Sequence, residues 1–138
     1  MRFFILTILI FVSFSAASEN QLVLENGWVR AAPPMAKTLA GYGELRNGSS
    51  QSISIVSMTS PFFKRVEAHK TSFVGGMMKM QHIENMQLDP GVVFKFAPGG
   101  MHFMLIKPNR AITENLEVPI HLTTELGEKF TFHLVVKK

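Results

Sequence analysis

Short apolar stretches separated by turn residues run through most of the chain. Pairs such as Asn26-Gly27 and Gly75-Gly76 mark the turns, and in several stretches apolar and polar residues alternate. Alternation with a period of two places Phe130, Phe132 and Leu134 on one face of a strand. The stretches with strand character include Trp28–Ala31, Leu39–Arg46, Ser52–Met58, Arg65–His69, Val92–Phe96, Met101–Ile106, Val118–Thr123 and Lys129–Val136.

The spacing of these stretches predicts an all-β fold. No window has the apolar periodicity of a helix longer than about two turns, and turn residues recur every 8–12 residues or so. We therefore expect one antiparallel β-sandwich domain, with no internal repeat or linker. Pro119 falls inside a predicted strand, which should be at an edge or bulged there because proline cannot donate to a ladder.

The first residues have the pattern of an export signal. Arg2 precedes an apolar run of 12 residues, Phe3–Phe14, and the small residues Ser15-Ala16-Ala17 follow. This run is short for a membrane span, which needs about 20 apolar residues. We expect a signal peptide at residues 1–17 and a single domain at 18–138, with no membrane span after cleavage. An uncleaved membrane anchor is the alternative.

Composition excludes several classes of protein. The 138 residues include nine methionines and no cysteine, so a disulfide framework, a thiolate zinc site, a cysteine nucleophile, a lipid-modified cysteine and a blue-copper site are excluded. The net charge of +4 is too small and too dispersed to indicate nucleic-acid binding. An enzyme is not expected, because histidines and carboxylates show no catalytic spacing and no glycine-rich phosphate loop is present.

Methionine and histidine are concentrated in one part of the chain. Six of the nine methionines lie between Met77 and Met104, together with His82 and His102. Thioether sulfur binds Cu(I) in preference to hard cations, and imidazole binds copper in either oxidation state. The cluster is therefore compatible with a soft-metal site, and equally with a core in which methionine fills irregular gaps.

Alternation assigns these side chains to faces. His102 and Met104 share one face of their strand, and Met101 on the other face is expected in the core. Met80 and His82 share a face with Met78, opposite Met77 and Lys79. The pattern leaves the roles of Met77 and Met78 open.

The spacing of four residues resembles a known family. His69, Met80, His102 and Met104 reproduce the H-x10-M-x21-H-x-M pattern of periplasmic copper chaperones of the PCuAC type. The flanking segments are also similar to that family over nearly the whole exported chain, notably in the stretch Pro98–Leu105.

The resemblance implies a fold and a function. The fold would be a cupredoxin-like β-sandwich of Greek-key type, holding one Cu(I) through His69, Met80, His102 and Met104. The protein would pass copper in the periplasm, by ligand exchange, to the CuA centre in subunit II of cytochrome c oxidase, with a Sco-type thiol protein as a further partner. Where the family commonly has proline, this chain has His82; we expect an exposed substitution there, the alternative being a side chain beside the metal.

Two other functions are compatible with the sequence. One is copper sequestration for tolerance, which uses the same site. The other is a metal-free β-sandwich that binds proteins through a methionine- and phenylalanine-rich face, which predicts an exposed apolar patch.

Overall fold

The computed structural model describes residues 22–138, and the predicted signal peptide at residues 1–17 lies outside them. Within the described residues no helix is long and apolar enough to cross a membrane. This part of the chain forms ten strands: β1 (Leu22–Arg30), β2 (Thr38–Asn47), β3 (Ile53–Thr59), β4 (Phe63–Val74), β5 (Met77–Ile83), β6 (Met86–Leu88), β7 (Val93–Phe96), β8 (Met101–Pro108), β9 (Glu117–Thr124) and β10 (Lys129–Lys137).

The strands form one hydrogen-bonded sheet in the order β5-β4-β8-β7-β2-β1-β10-β9-β3-β6, and β8 also pairs with β2. Most neighbours are antiparallel, but β1 pairs with β10 and β7 with β8 in parallel. The sheet folds over so that apolar side chains from distant strands meet in one core. The predicted all-β sandwich is therefore confirmed, with two parallel pairings in addition.

The core takes a buried apolar side chain from every strand of the described residues except β5. Leu45 of β2, Leu105 of β8, Leu122 of β9 and Leu134 of β10 are all fully buried. By contrast, six of the seven residues of β5 are exposed. Strand β5 is thus held by its pairing with β4 rather than by burial, at one end of the sheet.

The first strand differs from its prediction. It begins at Leu22, and Asn26-Gly27 is an irregularity inside the strand rather than a turn before it, because the β1–β2 register shifts there. Asn26 has a positive φ of 52°, as a β-bulge allows. Gly43 of β2 lies against this bulge, where an added Cβ would be 3.1 Å from the carbonyl oxygen of Glu25.

Pro119 is accommodated without a bulge at its own position. Strand β9 lies between β10 and β3, so the strand as a whole is not at an edge. Its pairing with β3 reaches only as far as His121, however, and Pro119 pairs with His133 of β10 alone. The strand is locally an edge at the proline, which is where the missing N–H is tolerated.

Candidate metal centre

Strand β4 brings the histidines together because it lies between β5 and β8. His69 of β4 is paired with His82 of β5 on one side and with His102 of β8 on the other. Residues directly opposite each other in a ladder project from the same face. The three imidazoles therefore form one row across three strands.

The two predicted thioether ligands lie on the same face, on either side of that row. Met80 is paired with Thr71, two residues beyond His69, and Met104 is paired with Glu67, two residues before it. The face of a strand repeats every second residue. All four predicted ligands thus share one face, with the methionines at diagonally opposite corners and His69 between them.

The ring of His69 is fixed at one nitrogen and free at the other. Its Nε2 lies 2.8 Å from Oε2 of Glu67, and a carboxylate only accepts, so Nε2 carries the proton. The Nδ1 atom consequently bears the lone pair. Among the described residues it is the one buried side-chain nitrogen or oxygen with no hydrogen-bond partner. Such an unpaired buried group costs about 1–3 kcal/mol, which a ligand to Nδ1 would offset.

His102 has a similar arrangement. It is 9% exposed, and its Nδ1 lies 3.3 Å from the carbonyl oxygen of Gly100. Since a carbonyl accepts, this contact assigns the proton to Nδ1 and leaves the lone pair on Nε2. Metal-binding histidines commonly have one ring nitrogen held by a carboxylate or carbonyl in this way.

Glu67 connects the histidine row to a positive charge. Its Oε1 forms an ion pair with Nε of Arg65 at 3.2 Å, while its Oε2 accepts a hydrogen bond from His69. The hydrogen bond from His69 lowers the pKa of the Glu67 carboxyl, against partial burial, with Arg65 and His82 adding electrostatic attraction. The group is therefore ionised at neutral pH and holds the His69 ring through a charge-assisted bond.

His82 is both exposed and adjacent to the predicted ligands. Its ring is stacked on that of His69, with centroids 5.2 Å apart and planes inclined at 19°. The rings of His69 and His102 have centroids 5.9 Å apart, inclined at 28°. The expected exposure is thus observed, and the exposed ring contacts that of a predicted ligand.

The remaining methionines of this region divide by face. Met101 packs against the core, as predicted. Met78 lies on the histidine face and Met77 on the opposite one, and both are exposed, at 61% and 67%. With exposed Phe73 and Val74 they form the apolar tip of the β4–β5 hairpin.

The imidazole and carboxylate groups of the described residues do not by themselves form a metal site. Within residues 22–138, no three histidine, aspartate or glutamate side chains are arranged to hold a metal ion. A site on this face would therefore require the thioethers or a turn of a histidine ring.

Sequence reasoning did not single out Glu67, although its position two residues before His69 places it on the same face.

Comparison with known proteins identifies the family. A family model described as LpqE-like, named for a predicted lipoprotein, matches residues 22–136. The chain belongs to the LpqE-like family. It is also 29% identical over 84 residues to the predicted lipoprotein Lxx21020 of Leifsonia xyli subsp. xyli (strain CTCB07). That match covers 60% of this chain and 49% of the relative, so the chain spans about half the length of the curated relative it matches.

Solved PCuAC domains have the same fold as this LpqE-like chain. The copper-bound PCuAC domain from PmoF2 is 19% identical, covers 85% of this chain and 92% of its own, and has a TM-score of 0.68. The Cu(I) form of DR1885 from Deinococcus radiodurans is 25% identical, with coverage of 89% and 82% and a TM-score of 0.62. The resemblance to the PCuAC type is confirmed, and with it the cupredoxin-like β-sandwich. Both of these structural neighbours were solved with copper.

Proposed function

We propose that the protein is an exported copper carrier that binds one Cu(I) through His69, Met80, His102 and Met104. The ion is cargo rather than a cofactor for chemistry, so the protein acts as a carrier and not as an enzyme. Two neutral imidazoles and two thioethers suit Cu(I), a soft d10 ion that accepts a tetrahedral arrangement.

The observation that supports this proposal most strongly is the free nitrogen of His69. Its Nδ1 is buried without a partner while Glu67 holds the other ring nitrogen. Buried polar groups are nearly always satisfied, so an unpartnered nitrogen on the face that carries the other predicted ligands favours a ligand at that position. A bound metal supplies the missing partner.

Release of the ion follows from the exposure of the site. Met80 is 56% exposed and lies on β5, which contributes no buried residue. An incoming ligand can replace an exposed thioether first and the buried imidazoles afterwards. The recipient we propose is the CuA centre in subunit II of cytochrome c oxidase, reached in the periplasm, with a Sco-type thiol protein as a further partner.

Titration of the purified protein with Cu(I) against a competing chelator tests the site. We expect one copper per chain, and a large loss of affinity in the double variant Met80→Leu plus Met104→Leu. The matched control is Met35→Leu plus Met77→Leu, two exposed methionines off the histidine face. Stoichiometry well below one, or equal affinity of both double variants, would refute the proposal.

A deletion strain separates delivery from sequestration. Delivery predicts loss of cytochrome oxidase activity when copper is scarce, restored by added copper. Sensitivity confined to excess copper would instead support a role in copper tolerance.

The domain boundaries are part of the proposal. Residues 1–17 would be removed on export, leaving residues 18–138 as the carrier. Intact-mass measurement of protein recovered from the periplasm would show a chain beginning at Ser18. A mass that includes residues 1–17 would support the uncleaved anchor.

The apolar hairpin tip favours protein contact as a second function. Phe73, Val74, Met77 and Met78 are all more than half exposed, and such patches mark interaction sites. If binding proteins were the sole function, replacing His69 and His102 by asparagine would leave partner binding unchanged with or without copper. Copper-dependent partner binding would contradict that alternative.

A further inference from the structure

The end of the β4–β5 hairpin extends beyond the rest of the sheet. Strand β4 pairs with β8 only as far as Lys70, which lies opposite Met101. Strand β5 is at the edge of the sheet, so among the described residues the segment 72–79 pairs only with itself. A Cβ added at Gly75 or Gly76 would have no atom within 4 Å. The apolar hairpin tip therefore projects into solvent.

This tip is apolar on both of its faces. The register pairs Phe73 with Met78 on the histidine face and Val74 with Met77 on the opposite face. All four side chains are more than half exposed. A protein that covered one face would leave the other pair in water, whereas a lipid bilayer accepts apolar side chains from both faces at once. The arrangement favours a bilayer over a protein as the occupant.

The charges beside the tip are complementary to an anionic surface. Between Ala68 and Ile83 the chain has two lysines, Lys70 and Lys79, and no aspartate or glutamate. Both lysines are exposed and lie on the face opposite the histidines. Lysine side chains next to inserted apolar residues can extend their ammonium groups to lipid phosphates, and each such charge strengthens binding to anionic lipid.

The length of the tip suits a shallow contact. Phe73 lies two residues before Gly75 in the turn, which at about 3.3 Å per residue gives an apolar end roughly 7 Å long. Interfacial segments bury their apolar side chains roughly 5–10 Å deep. At this depth the unpaired outer edge of β5 stays in the hydrated headgroup region, as it must because hydrocarbon does not tolerate unsatisfied backbone groups.

We propose that the apolar hairpin tip inserts into the surface of an anionic lipid bilayer, with Lys70 and Lys79 on the headgroups. The inference goes beyond the proposed copper function and does not require bound copper. It places the candidate metal centre beside the membrane, because Met80 is two residues from Met78 on the same face of β5.

Sedimentation of the exported protein with vesicles of phosphatidylcholine and phosphatidylglycerol tests the role of the apolar side chains. We expect Phe73→Ser plus Met78→Ser to lower the partition coefficient by about tenfold or more. The matched control is Met35→Ser plus Leu126→Ser, two exposed apolar residues outside the hairpin, which should leave it unchanged. Circular dichroism confirms that both variants are folded. Equal partitioning of the two variants would overturn the inference.

The lysines are tested on the same vesicles at low salt. Lys70→Gln plus Lys79→Gln should lower the partition coefficient by about tenfold, and should have no effect on vesicles of phosphatidylcholine alone. The control is Lys64→Gln plus Lys129→Gln, which removes two exposed lysines outside the hairpin. Equal losses in the two double variants would contradict contact through the tip.

A fluorescent label locates the contact directly. The chain has no cysteine, so Met77→Cys provides a single attachment site for an environment-sensitive fluorophore. We expect a blue shift on adding the mixed vesicles with the label at position 77, and none with the label at Leu126→Cys. A label at position 77 that responds to protein concentration and not to vesicles would overturn the inference in favour of contact between proteins.

Discussion

Glu67 determines which nitrogen of His69 is available. Its ionised carboxylate accepts from Nε2, so the lone pair lies on the buried Nδ1. Carboxylate partners of this kind orient a metal-binding histidine and raise its basicity. The orientation of a predicted ligand thus depends on a residue outside the four-residue pattern.

Replacing Glu67 by glutamine should weaken copper binding while the fold is retained. A neutral amide still accepts a hydrogen bond but holds the ring less firmly, and loss of such a partner typically costs 10–100-fold in affinity. We expect a decrease of about that size in Cu(I) affinity by competition titration. The control is Glu44→Gln, which removes a carboxylate paired with Lys95 on β7. Equal affinity in the two variants would contradict the role of Glu67.

The sequence predicted part of this residue-level picture. Spacing placed His102 and Met104 on one face, and the structure agrees. The contact between His69 and His82 was not predictable from spacing, because it depends on the register of β5 against β4. A shift of one residue would have moved His82 to the opposite face.

The β4–β5 hairpin carries the exposed half of the candidate site. Gly75 and Gly76 form its two-residue turn, with φ values of 59° and 77°. Two consecutive positive φ angles are typical of a type I′ turn, which suits the twist of paired strands. Since β5 adds no buried side chain, it can separate from β4 without loss of the core.

Replacing both turn glycines by valine should therefore affect copper binding more than stability. A side chain at positive φ costs roughly 1–2 kcal/mol per residue, enough to open a hairpin with no buried side chains on β5. We expect weaker Cu(I) binding, faster amide exchange along β5 and little change in the melting temperature.

Gly127→Val is the contrasting variant. Gly127 also has a positive φ, of 82°, but it lies in the turn between β9 and β10, and both of these strands bury side chains in the core. It should lower the melting temperature and leave the Cu(I) affinity of the folded protein unchanged. The reverse outcome for the two variants would contradict this division of the molecule.

The differences between the predicted and the observed strands have local causes. Strand β5 is rich in methionine and poor in β-branched residues, and it buries almost nothing, so it has no strong local strand signal. Strand β6 has only three residues. The predicted strand begins too late at β1, because Asn26-Gly27 has the sequence of a turn. In the structure these two residues form a bulge inside the strand.

At the scale of the whole molecule, the candidate site and the core lie on different faces of the same strands. Phe103 and Leu105 of β8 are fully buried, while His102 and Met104 project from the opposite face. Local patterns predicted the strands but not their order, such as the parallel pairing of β1 with β10. That order is fixed by contacts between residues far apart in the chain.

Copper loading should stabilise the folded protein by mass action. A ligand that binds only the native state at a free concentration 100 times its Kd adds about 2.7 kcal/mol. We expect the melting temperature to rise by several degrees with Cu(I) for a domain of this size. The increase should disappear in Met80→Leu plus Met104→Leu, and an equal increase in that variant would place the copper elsewhere.

The central claim is the ligand set, and X-ray absorption at the copper edge of the Cu(I)-loaded protein tests it most directly. His69, His102, Met80 and Met104 together predict mixed scattering from nitrogen and sulfur, with about four ligands in total. Scattering from nitrogen and oxygen alone, with no sulfur shell, would contradict the assignment of the two methionines.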